Sequence, residues 1–291
     1  MNRSSFPPSL IKWTGSKRSQ ACSIARLFPK NARNYYEPFV GGGAVLYYAT
    51  DHFQKTYASD LYGPLIEIWN EVKSHPQEVI DCYSENWTAL QKDFPNYFYT
   101  VRDKFNAQKK GLDLLFLSRT CVNGIIRFND KGDFNNSLHL SRRGMAPERF
   151  SQTVWNWHSR LSNTDFRTGD YASILDMVQK GDFVYLDPPY ANSHNRYIDD
   201  LDLQRFIGFL HELNSRKVLW ALSFDGTRGE NDLTYSLPKT LYHYHVLLTS
   251  GNSAVKKVLS SSVEQVQESL YLNFVPEQTS ASQLTLQFTD S

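Results

Sequence analysis

The chain contains 291 residues, of which 41% are hydrophobic and 21% are charged, and its net charge is +1 at pH 7. This composition is ordinary for a soluble globular protein. No apolar run approaches the roughly 18 residues needed to span a bilayer, and the N-terminus lacks the features of a signal peptide. We therefore expect a cytoplasmic protein, in which the three widely separated cysteines Cys22, Cys82 and Cys121 remain free thiols.

Basic residues are concentrated in two stretches of the chain. Residues 1–36 contain seven Lys or Arg and no acid, and residues 102–149 contain ten basic against five acidic side chains. Two basic regions on an otherwise neutral protein fit a cleft that receives a polyanion. Charge alone is equally compatible with a solvated surface.

The N-terminal third predicts two strands that end in ligand-binding signals. Residues 34–39 read as a strand that runs into Gly41-Gly42-Gly43, and residues 55–59 read as a second strand that ends at Asp60. Glycines after a strand allow a ligand to approach the backbone, although a tight turn without a ligand is also compatible with them. The spacing differs from the dinucleotide pattern G-x-G-x-x-G, and a Walker lysine is absent. Asp60 is expected to bind ribose hydroxyls, with a helix N-cap as the alternative.

The middle of the chain predicts helices followed by a loop. Residues 65–72 and 75–120 show helical periodicity. Residues 123–140 are rich in Gly, Asn and Asp and predict a hairpin or a long loop. Pro147 is well placed to open a helix that continues to residue 161.

Alternation of strands and helices resumes in the C-terminal half. Residues 166–167, 183–186 and 217–224 predict strands, residues 203–215 predict a helix, and residues 241–249 and 269–274 predict a closing antiparallel pair. Asp170-Tyr171 follows the first of these strands and is expected to hold the adenine ring of a cofactor. A β/α core interrupted by a helical insertion accounts for this order.

The most informative segment is residues 181–190, where a buried apolar strand leads into Asp187-Pro188-Pro189-Tyr190. Proline fixes φ and lacks an N–H group, so nearby carbonyl groups can face a ligand. The amino group of a nucleobase is a weak nucleophile because its lone pair is delocalised into the ring. A carboxylate and a carbonyl that accept its hydrogens would draw it towards a tetrahedral geometry, while Tyr190 stacks on a base that has left the duplex. A Pro-Pro turn with a capping Asp is the alternative.

Taken together, these segments resemble a known family. Asp187-Pro188-Pro189-Tyr190 matches the Asp-Pro-Pro-Tyr motif of amino-methylating DNA methyltransferases, and residues 37–45 match their cofactor motif. Residues 11–17 resemble the N-terminal motif of Dam-type adenine methylases, and the order of the motifs is similar to that of the alpha group. By this resemblance, which extends from about Leu10 to Asn273, the chain is identified as a Dam-type, alpha-group, D12 class DNA adenine N6-methyltransferase.

The resemblance implies an α/β fold. Its core is a Rossmann-like class I S-adenosylmethionine methyltransferase core, and a mainly helical target-recognition insertion carries a β-hairpin. The expected catalytic core comprises residues 1–61 and 162–291, and the expected DNA target-recognition domain comprises residues 62–161.

The resemblance also implies roles for individual residues. The residues expected to bind S-adenosyl-L-methionine are Trp13, Lys17, Glu37, Phe39, Gly41, Gly43, Asp60, Asp170, Tyr171 and Asp187. Asp187, Pro188, Pro189 and Tyr190 are expected to hold and activate the target base. The rate would come from alignment and electrostatics, since the amino proton can leave after methyl transfer. No metal site is expected, and His243 and His245 are interpreted as structural.

Residues 119–129 resemble the DNA-reading segment of Dam-type enzymes, and residues 132–135 continue it. Arg127 and Asn129 on a hairpin would reach the major groove, where Arg pairs with guanine edges, and Arg119 would suit phosphates. The predicted DNA-binding residues are Lys12, Arg119, Asn123, Ile125, Arg127, Asn129, Asn135, Arg142 and Arg143. A solvent-exposed polar loop is the alternative.

Three positions depart from the members of the family that read GATC. Those members usually carry an aromatic residue where this chain has Val122, Pro where it has Ser137, and Arg where it has Leu140. The departures argue against GATC as the recognition sequence without affecting adenine methylation, and the sequence does not identify the motif.

Other functions are compatible with parts of this pattern. The Asp-Pro-Pro-Tyr chemistry also serves cytosine N4 in DNA and adenine in RNA, although the motif order and N-terminal motif favour adenine in DNA. A non-catalytic DNA-binding protein with the same fold would be favoured by an altered Asp187 or a broken glycine turn, and neither is present. The expected partner is double-stranded DNA. A cognate restriction endonuclease is a further candidate, and both a monomer and a dimer are compatible with the sequence.

Overall fold

A parallel sheet with an antiparallel edge forms the centre of the protein. The computed structural model describes residues 6–189, 201–228, 231–232, 237–252 and 265–277. Its strands are β1 (Asn34–Glu37), β2 (Lys55–Asp60), β3 (Thr164–Thr168), β4 (Phe183–Leu186), β5 (Leu219–Arg228), β6 (Asn231–Asp232), β7 (Tyr244–Asn252) and β8 (Gln265–Leu272). The order across the sheet is β3-β2-β1-β4-β5-β8-β7, and the short β6 pairs with β5.

The strand directions determine where a ligand site can form. Strands β1 to β5 run parallel, whereas β8 is antiparallel to both β5 and β7. The chain moves outward from β1 to β2 and β3 and then returns to β4 on the other side of β1. In open α/β sheets, ligands bind at the carboxyl ends of the strands where the order reverses in this way. The boundary between β1 and β4 is therefore the expected position of the site.

Eight α-helices accompany the sheet within the described residues. They are α1 (Ala21–Ala25), α2 (Leu46–His52), α3 (Gly63–Ser74), α4 (Pro76–Lys92), α5 (Asn96–Gln108), α6 (Gly111–Thr120), α7 (Pro147–His158) and α8 (Leu203–Ser215). None of these described helices has both the length and the apolar character required to cross a membrane.

The expected α/β fold is confirmed, and most predicted elements occur within a few residues of their predicted bounds. The strand at residues 183–186 and the helix at residues 203–215 have the predicted bounds. All four side chains of β4 are buried, because helices cover both faces of a parallel sheet. Strand β5 is longer than predicted and reaches Arg228, since it continues to pair with β8 beyond a bulge between Ser223 and Gly226.

The helical insertion between β2 and β3 shares its core with the sheet. Helix α3 packs on β2 and β3, where Trp69 stacks on Phe166 with ring centroids 5.7 Å apart. Trp157 of α7 meets Trp69 edge to face at 4.7 Å. One continuous cluster of buried side chains therefore joins the sheet to the insertion. The boundaries predicted for separate catalytic and recognition domains remain a prediction.

The region predicted as a hairpin or long loop doubles back on itself after α6. Isolated antiparallel bridges join Cys121 to Leu138 and Phe128 to Phe134, without a continuous ladder between them. Asn106 of α5 anchors this recognition loop (residues 121–143), because its side chain donates to the carbonyl of Phe134 and accepts from the N–H of the same residue. Backbone hydrogen bonds also join Asn129 to Asp133 and Asn135 to Arg127, so side-chain and backbone contacts together hold the segment without a regular ladder.

The contact between α3 and α6 yields a stability prediction. A Cβ atom on Gly111 would lie 2.6 Å from the Pro64 carbonyl oxygen and 3.0 Å from Glu67 Cβ. We expect Gly111→Ala to lower the free energy of unfolding by about 2 kcal/mol, because the two helices must separate. Urea denaturation measures this change.

The matched control is Gly208→Ala in α8, where nothing lies within 4 Å of the added atom. This replacement should raise the unfolding free energy by roughly 0.5–1 kcal/mol, as expected for an open helical glycine. Equal stability of Gly111→Ala and the wild type would contradict the packing described here.

Candidate functional site

A cavity of about 760 Å³ lies at the carboxyl ends of β1, β2 and β4. This position coincides with the reversal of strand order. All the residues predicted to bind the cofactor line the cavity, namely Trp13, Lys17, Glu37, Phe39, Gly41, Gly43, Asp60, Asp170, Tyr171 and Asp187. Pro188 and Pro189 line it as well, whereas Tyr190 falls outside the described residues.

Two tryptophans shape the glycine turn after β1. Gly41 and Gly43 have φ angles of 46° and 68°, in the left-handed region that favours glycine. A Cβ atom would lie 2.7 Å from Trp13 Cδ1 at Gly41 and 2.9 Å from Trp69 Cζ2 at Gly43. Trp69 also donates from Nε1 to the Gly41 carbonyl oxygen at 3.1 Å. Both glycines are therefore required by the backbone conformation and by the close approach of an indole ring.

Asp60 at the end of β2 connects the glycine turn to the start of the insertion. Its Oδ2 accepts the N–H of Gly41, and its Oδ1 accepts the N–H of Tyr62, both at 3.1 Å. Burial raises the pKa of Asp60 to about 6, in opposition to these N–H groups. The carboxylate is thus negative near neutral pH and becomes protonated only slightly below it. The hydrogen bond from the Tyr62 N–H resembles the helix N-cap role that was the alternative interpretation of Asp60. One carboxylate can therefore both cap the backbone and face the cavity.

Asp187 lies beside β4 and is paired with a buried lysine. Lys17 Nζ is 2.7 Å from Asp187 Oδ1 and 3.4 Å from Glu268 Oε2 of β8. Burial raises the pKa of Asp187 to about 6, against the effect of the Lys17 cation, and the Glu268 charge raises it further. The carboxylate is consequently ionised at neutral pH but only moderately stabilised in that form.

Glu37 lies deeper than the other two acids. It is 3% exposed, and its Oε2 accepts a hydrogen bond from the Tyr35 hydroxyl at 2.6 Å. Burial raises the pKa of Glu37 well above its ordinary value. Glu37 therefore lies at the base of the cavity, where the Tyr35 hydroxyl holds its carboxyl group.

Asp170 and Tyr171 form the opposite wall of the cavity. The Asp170 carboxylate accepts two hydrogen bonds from Arg205, at 2.6 and 2.9 Å, and one from the N–H of Ala172 at 2.9 Å. Although burial opposes it, this pairing keeps the pKa of Asp170 below its ordinary value. Tyr171 stacks on Phe39 with ring centroids 5.4 Å apart. The aromatic pair, rather than the Asp170 carboxylate, presents surface to a planar ring.

The recognition loop forms part of the same cavity. Ile126 and Phe128 line the cavity. Arg127, which lies between them in sequence, and Asn129, which follows Phe128, are exposed. Phe128 contacts Tyr62 with ring centroids 5.3 Å apart. Successive side chains of this segment thus face alternately towards the cavity and towards solvent, as in an extended strand.

Several predicted DNA-reading residues are held in place by neighbours within the loop. Arg127 donates from Nε to Asn135 Oδ1 at 2.8 Å, which orients its guanidinium. Asn129 Oδ1 accepts the N–H groups of Lys131 and Asp133 and so builds the turn at the tip of the loop. Asn123 has a left-handed φ of 57°. The exposed members of the predicted set are Lys12, Asn123, Ile125, Arg127, Asn129, Arg142 and Arg143.

Arg119 is placed differently from the phosphate-binding position expected of it. Its NH1 donates to the carbonyl oxygens of Ser9 and Leu10 at 2.7 and 2.8 Å. Burial lowers the pKa of Arg119. Partial burial also lowers the pKa of Lys12, and the nearby Arg119 cation lowers it further. Arg119 thus ties the N-terminal segment to α6, with its guanidinium directed into the protein.

The structure adds residues that sequence reasoning missed. Arg205 contacts Asp170, and Glu268 contacts Lys17. Each pair is distant in sequence, and no motif or spacing marks Arg205 or Glu268. Asn136 donates to the carbonyl oxygens of Val122 and Ile125 and so closes the recognition loop. The Asn-rich composition of residues 123–140 was the only signal for this role.

Comparison with known proteins gives a consistent family. A family model described as D12 class N6 adenine-specific DNA methyltransferase matches residues 13–248. The chain is 32% identical over 245 residues to the type II methyltransferase M.MjaIII of Methanocaldococcus jannaschii, a match that covers 73% of this chain and 82% of that protein. It is 28% identical over 185 residues to a DNA adenine methylase of Haemophilus influenzae, covering 62% of this chain and 63% of the relative.

Among solved structures, a precorrin-6y C5,15-methyltransferase from Geobacter metallireducens matches over 92% of each chain, with 9% identity and a TM-score of 0.33. The family model covers most of the chain and includes the glycine turn, Asp60 and the Asp187 segment. The chain therefore belongs to the D12 class N6 adenine-specific DNA methyltransferases.

Proposed function

We propose that this enzyme transfers the methyl group of S-adenosylmethionine to N6 of an adenine that has left the helix of a short double-stranded DNA motif. The observation that carries the proposal is the single cavity that joins Asp187 and the two prolines to Asp60 and the glycine turn. A base-activating carboxylate and a nucleoside-binding wall thus face the same space. The enzyme would act on chromosomal DNA in the cytoplasm.

The residues of the cavity fit the cofactor. Asp60 provides a carboxylate for ribose hydroxyls, and the pair of Phe39 and Tyr171 provides an aromatic surface for the adenine ring. The Tyr171 hydroxyl is buried without a hydrogen-bond partner among the described residues, which is costly unless a ligand provides one. When bound, the cofactor supplies an electrophilic methyl group.

The base-activating role is assigned to Asp187 and its neighbours. At neutral pH the Asp187 carboxylate accepts a hydrogen bond from the adenine amino group, which lowers the delocalisation of the nitrogen lone pair. Pro188 and Pro189 have no N–H groups, so their segment presents carbonyl groups to the base. Tyr190 is assigned to stacking on the extruded base. Lys17 holds the Asp187 carboxylate in position during this step.

The DNA-reading role is assigned to the recognition loop. Arg127 is oriented by Asn135, and a guanidinium held in this way can read a guanine edge in the major groove. Asn123, Ile125 and Asn129 are exposed in the same loop and are assigned to the same role, while Lys12, Arg142 and Arg143 are assigned to phosphates. Arg119 is assigned to positioning the N-terminal segment because its guanidinium is directed inward.

The reaction and the recognition sequence can be tested together. We expect genomic DNA from methylation-free cells that express this protein to carry N6-methyladenine throughout one short motif, as detected by single-molecule sequencing. Methylcytosine in such a motif would instead identify a cytosine N4 enzyme. Unmodified DNA, despite folded protein that binds S-adenosylhomocysteine, would contradict the assigned substrate.

Replacement of the activating carboxylate should separate chemistry from binding. We expect Asp187→Asn to reduce the single-turnover methylation rate on plasmid DNA by about 10²–10³-fold, the range found when one preorganised hydrogen-bonding group is removed from an active site. The folded state should persist, as judged by thermal unfolding. Asp165→Asn, which alters a surface acid paired with Arg167, is the control and should methylate at the wild-type rate. A variant at Asp187 with full activity would refute the assignment.

The titration of Asp60 predicts a pH dependence of cofactor binding. Because the pKa of Asp60 is about 6, lowering the pH through this value replaces an acceptor carboxylate with a neutral acid. We expect the affinity for S-adenosylhomocysteine, measured by calorimetry, to be constant between pH 7 and 8 and to fall below pH 6.

Asp60→Asn should weaken binding of S-adenosylhomocysteine at pH 7.5 by more than about tenfold, or about 1.4 kcal/mol. It should also remove most of the decrease at low pH. Retention of the wild-type pH profile by this variant would show that Asp60 does not contact the ribose.

A further inference from the structure

Positive charges gather where the N-terminal segment meets the recognition loop. Lys12 packs against this loop, since a Cβ atom on Gly124 would lie 2.8 Å from Lys12 Cβ. Burial lowers the pKa of Lys12, and three nearby cations lower it further, namely Arg119, Arg142 and Arg18. These residues are distant in sequence and therefore share one region of the protein only through the fold.

The same region includes a further arginine from α7. The guanidinium of Arg119 is directed inward, and burial lowers its pKa. Tyr83 acts in the opposite direction, whereas the Arg149 and Arg18 cations lower the pKa of Arg119 further. The exposed cations around Arg119 form what is called here the basic surface, which consists of Lys12, Arg18, Arg142 and Arg149.

Few acids lie in the segments that carry the basic surface. Residues 1–36 contain no acid, and residues 121–149 contain Asp130, Asp133 and Glu148. Among the described residues, no ion pair involves a member of the basic surface. Glu148 is exposed beside Arg149 in sequence and leaves the other cations of the surface without an acid next to them.

The acids closest to this region in the fold are paired with other lysines. Asp133 at the tip of the recognition loop is paired with Lys109. Asp187 and Glu268 face Lys17, the neighbour of Arg18 in sequence. The basic surface thus keeps an excess of positive charge, which mutual repulsion disfavours and an anionic partner would neutralise.

Arg18 is oriented for such a partner by two contacts. Its Nε donates to the carbonyl oxygen of Pro7 at 2.6 Å, and its guanidinium carbon lies 5.6 Å from the centre of the Phe6 ring. Its two terminal amino groups make no hydrogen bond within the described part of the chain. A guanidinium can bind a phosphate through two N–H groups, and one that is already oriented loses less freedom on binding.

We propose that Arg18 binds a backbone phosphate of duplex DNA, beside the stretch of bases that the recognition loop reads. The inference rests on the proposed function, because it takes double-stranded DNA as the partner. Lys12 connects the two regions, since it contacts the recognition loop and belongs to the basic surface. Phosphate contacts position DNA without reading its sequence. Arg18 therefore contributes equally to the binding of DNA that has the recognition motif and of DNA that lacks it.

The salt dependence of DNA binding counts the phosphates that a protein neutralises. Each contact contributes about 0.9 to the slope of log affinity against log salt concentration. We expect Arg18→Gln to lower the magnitude of this slope by about 0.9, as measured by fluorescence anisotropy with a labelled duplex of arbitrary sequence. Arg18→Lys keeps the charge and should keep the slope. Arg216→Gln is the matched control, because it removes a cation that is paired with Glu212 and changes the net charge by the same amount, and it should also keep the slope.

A measurement on the unaltered protein guards against misfolding of the variants. Phenylglyoxal modifies accessible arginines, and mass spectrometry of the peptides locates the modified positions. We expect duplex DNA to protect exposed Arg18 from the reagent and to leave the modification of Arg216 unchanged.

The inference would be overturned by a folded Arg18→Gln protein with the wild-type slope, or by equal modification of Arg18 with and without DNA. It would also be overturned if Arg18→Gln and Arg18→Lys both lost affinity at an unchanged slope, because the contact with Pro7 would then be the role of this residue. Methylation is not part of these measurements. An enzyme that leaves adenine unmodified would contradict the proposed function, while the slopes would still decide the role of Arg18.

Discussion

The burial of three carboxylates at one edge of the sheet is the constraint on which the site depends. Asp60, Asp187 and Glu37 lie at or next to the ends of adjacent parallel strands, and burial raises the pKa of each. An unpaired buried charge costs several kcal/mol, so each acid requires partners. Asp60 takes two backbone N–H groups, Asp187 takes Lys17, and Glu37 takes the Tyr35 hydroxyl. These partners determine the local backbone, since the N–H of Gly41 reaches Asp60 from a turn that needs a positive φ.

Because Lys17 comes from the N-terminal segment, that segment forms part of the cavity. The segment also contacts the helical insertion. Trp13 fills the space over Gly41, and Lys17 pairs with Asp187. The segment before them is held from the other side, where Arg119 of α6 donates to two of its carbonyl groups and Trp157 of α7 donates to Pro8. Helices that were expected to belong to a separate recognition domain therefore help to position residues that line the cavity, and one core serves both parts of the chain. A mutation in α6 or α7 can consequently alter the cavity without lying in it.

The features that could be predicted from the sequence are those whose signal is local. The glycine turn, the acid that ends β2 and the segment after β4 all lie near strand ends, and the strand ends of a parallel sheet converge, so their shared cavity follows from topology. Contacts between distant segments have no such signal. Arg205 reaches Asp170 from another helix, and Glu268 reaches Lys17 across most of the chain. The inward direction of Arg119 was missed for a related reason, because a basic residue beside a DNA-reading motif suggests a phosphate contact until the carbonyl groups of Ser9 and Leu10 are seen beside it.

The two faces of the recognition loop are under different structural constraints. Ile126 and Phe128 form part of the cavity wall, and Phe128 contacts Tyr62 next to Asp60, so this face is constrained by packing around the cavity. The opposite face carries Arg127 and Asn129, and beyond it Leu140 is 71% exposed. The loop lacks a continuous ladder, and side chains such as Asn129 and Asn136 support its backbone through hydrogen bonds. The departures at Ser137 and Leu140 are at exposed positions, and Ser137 accepts the N–H of Val122 through its backbone carbonyl, a contact that does not use the side chain. The alternation of inward and outward side chains thus separates the residues that form the cavity wall from those that are exposed to solvent.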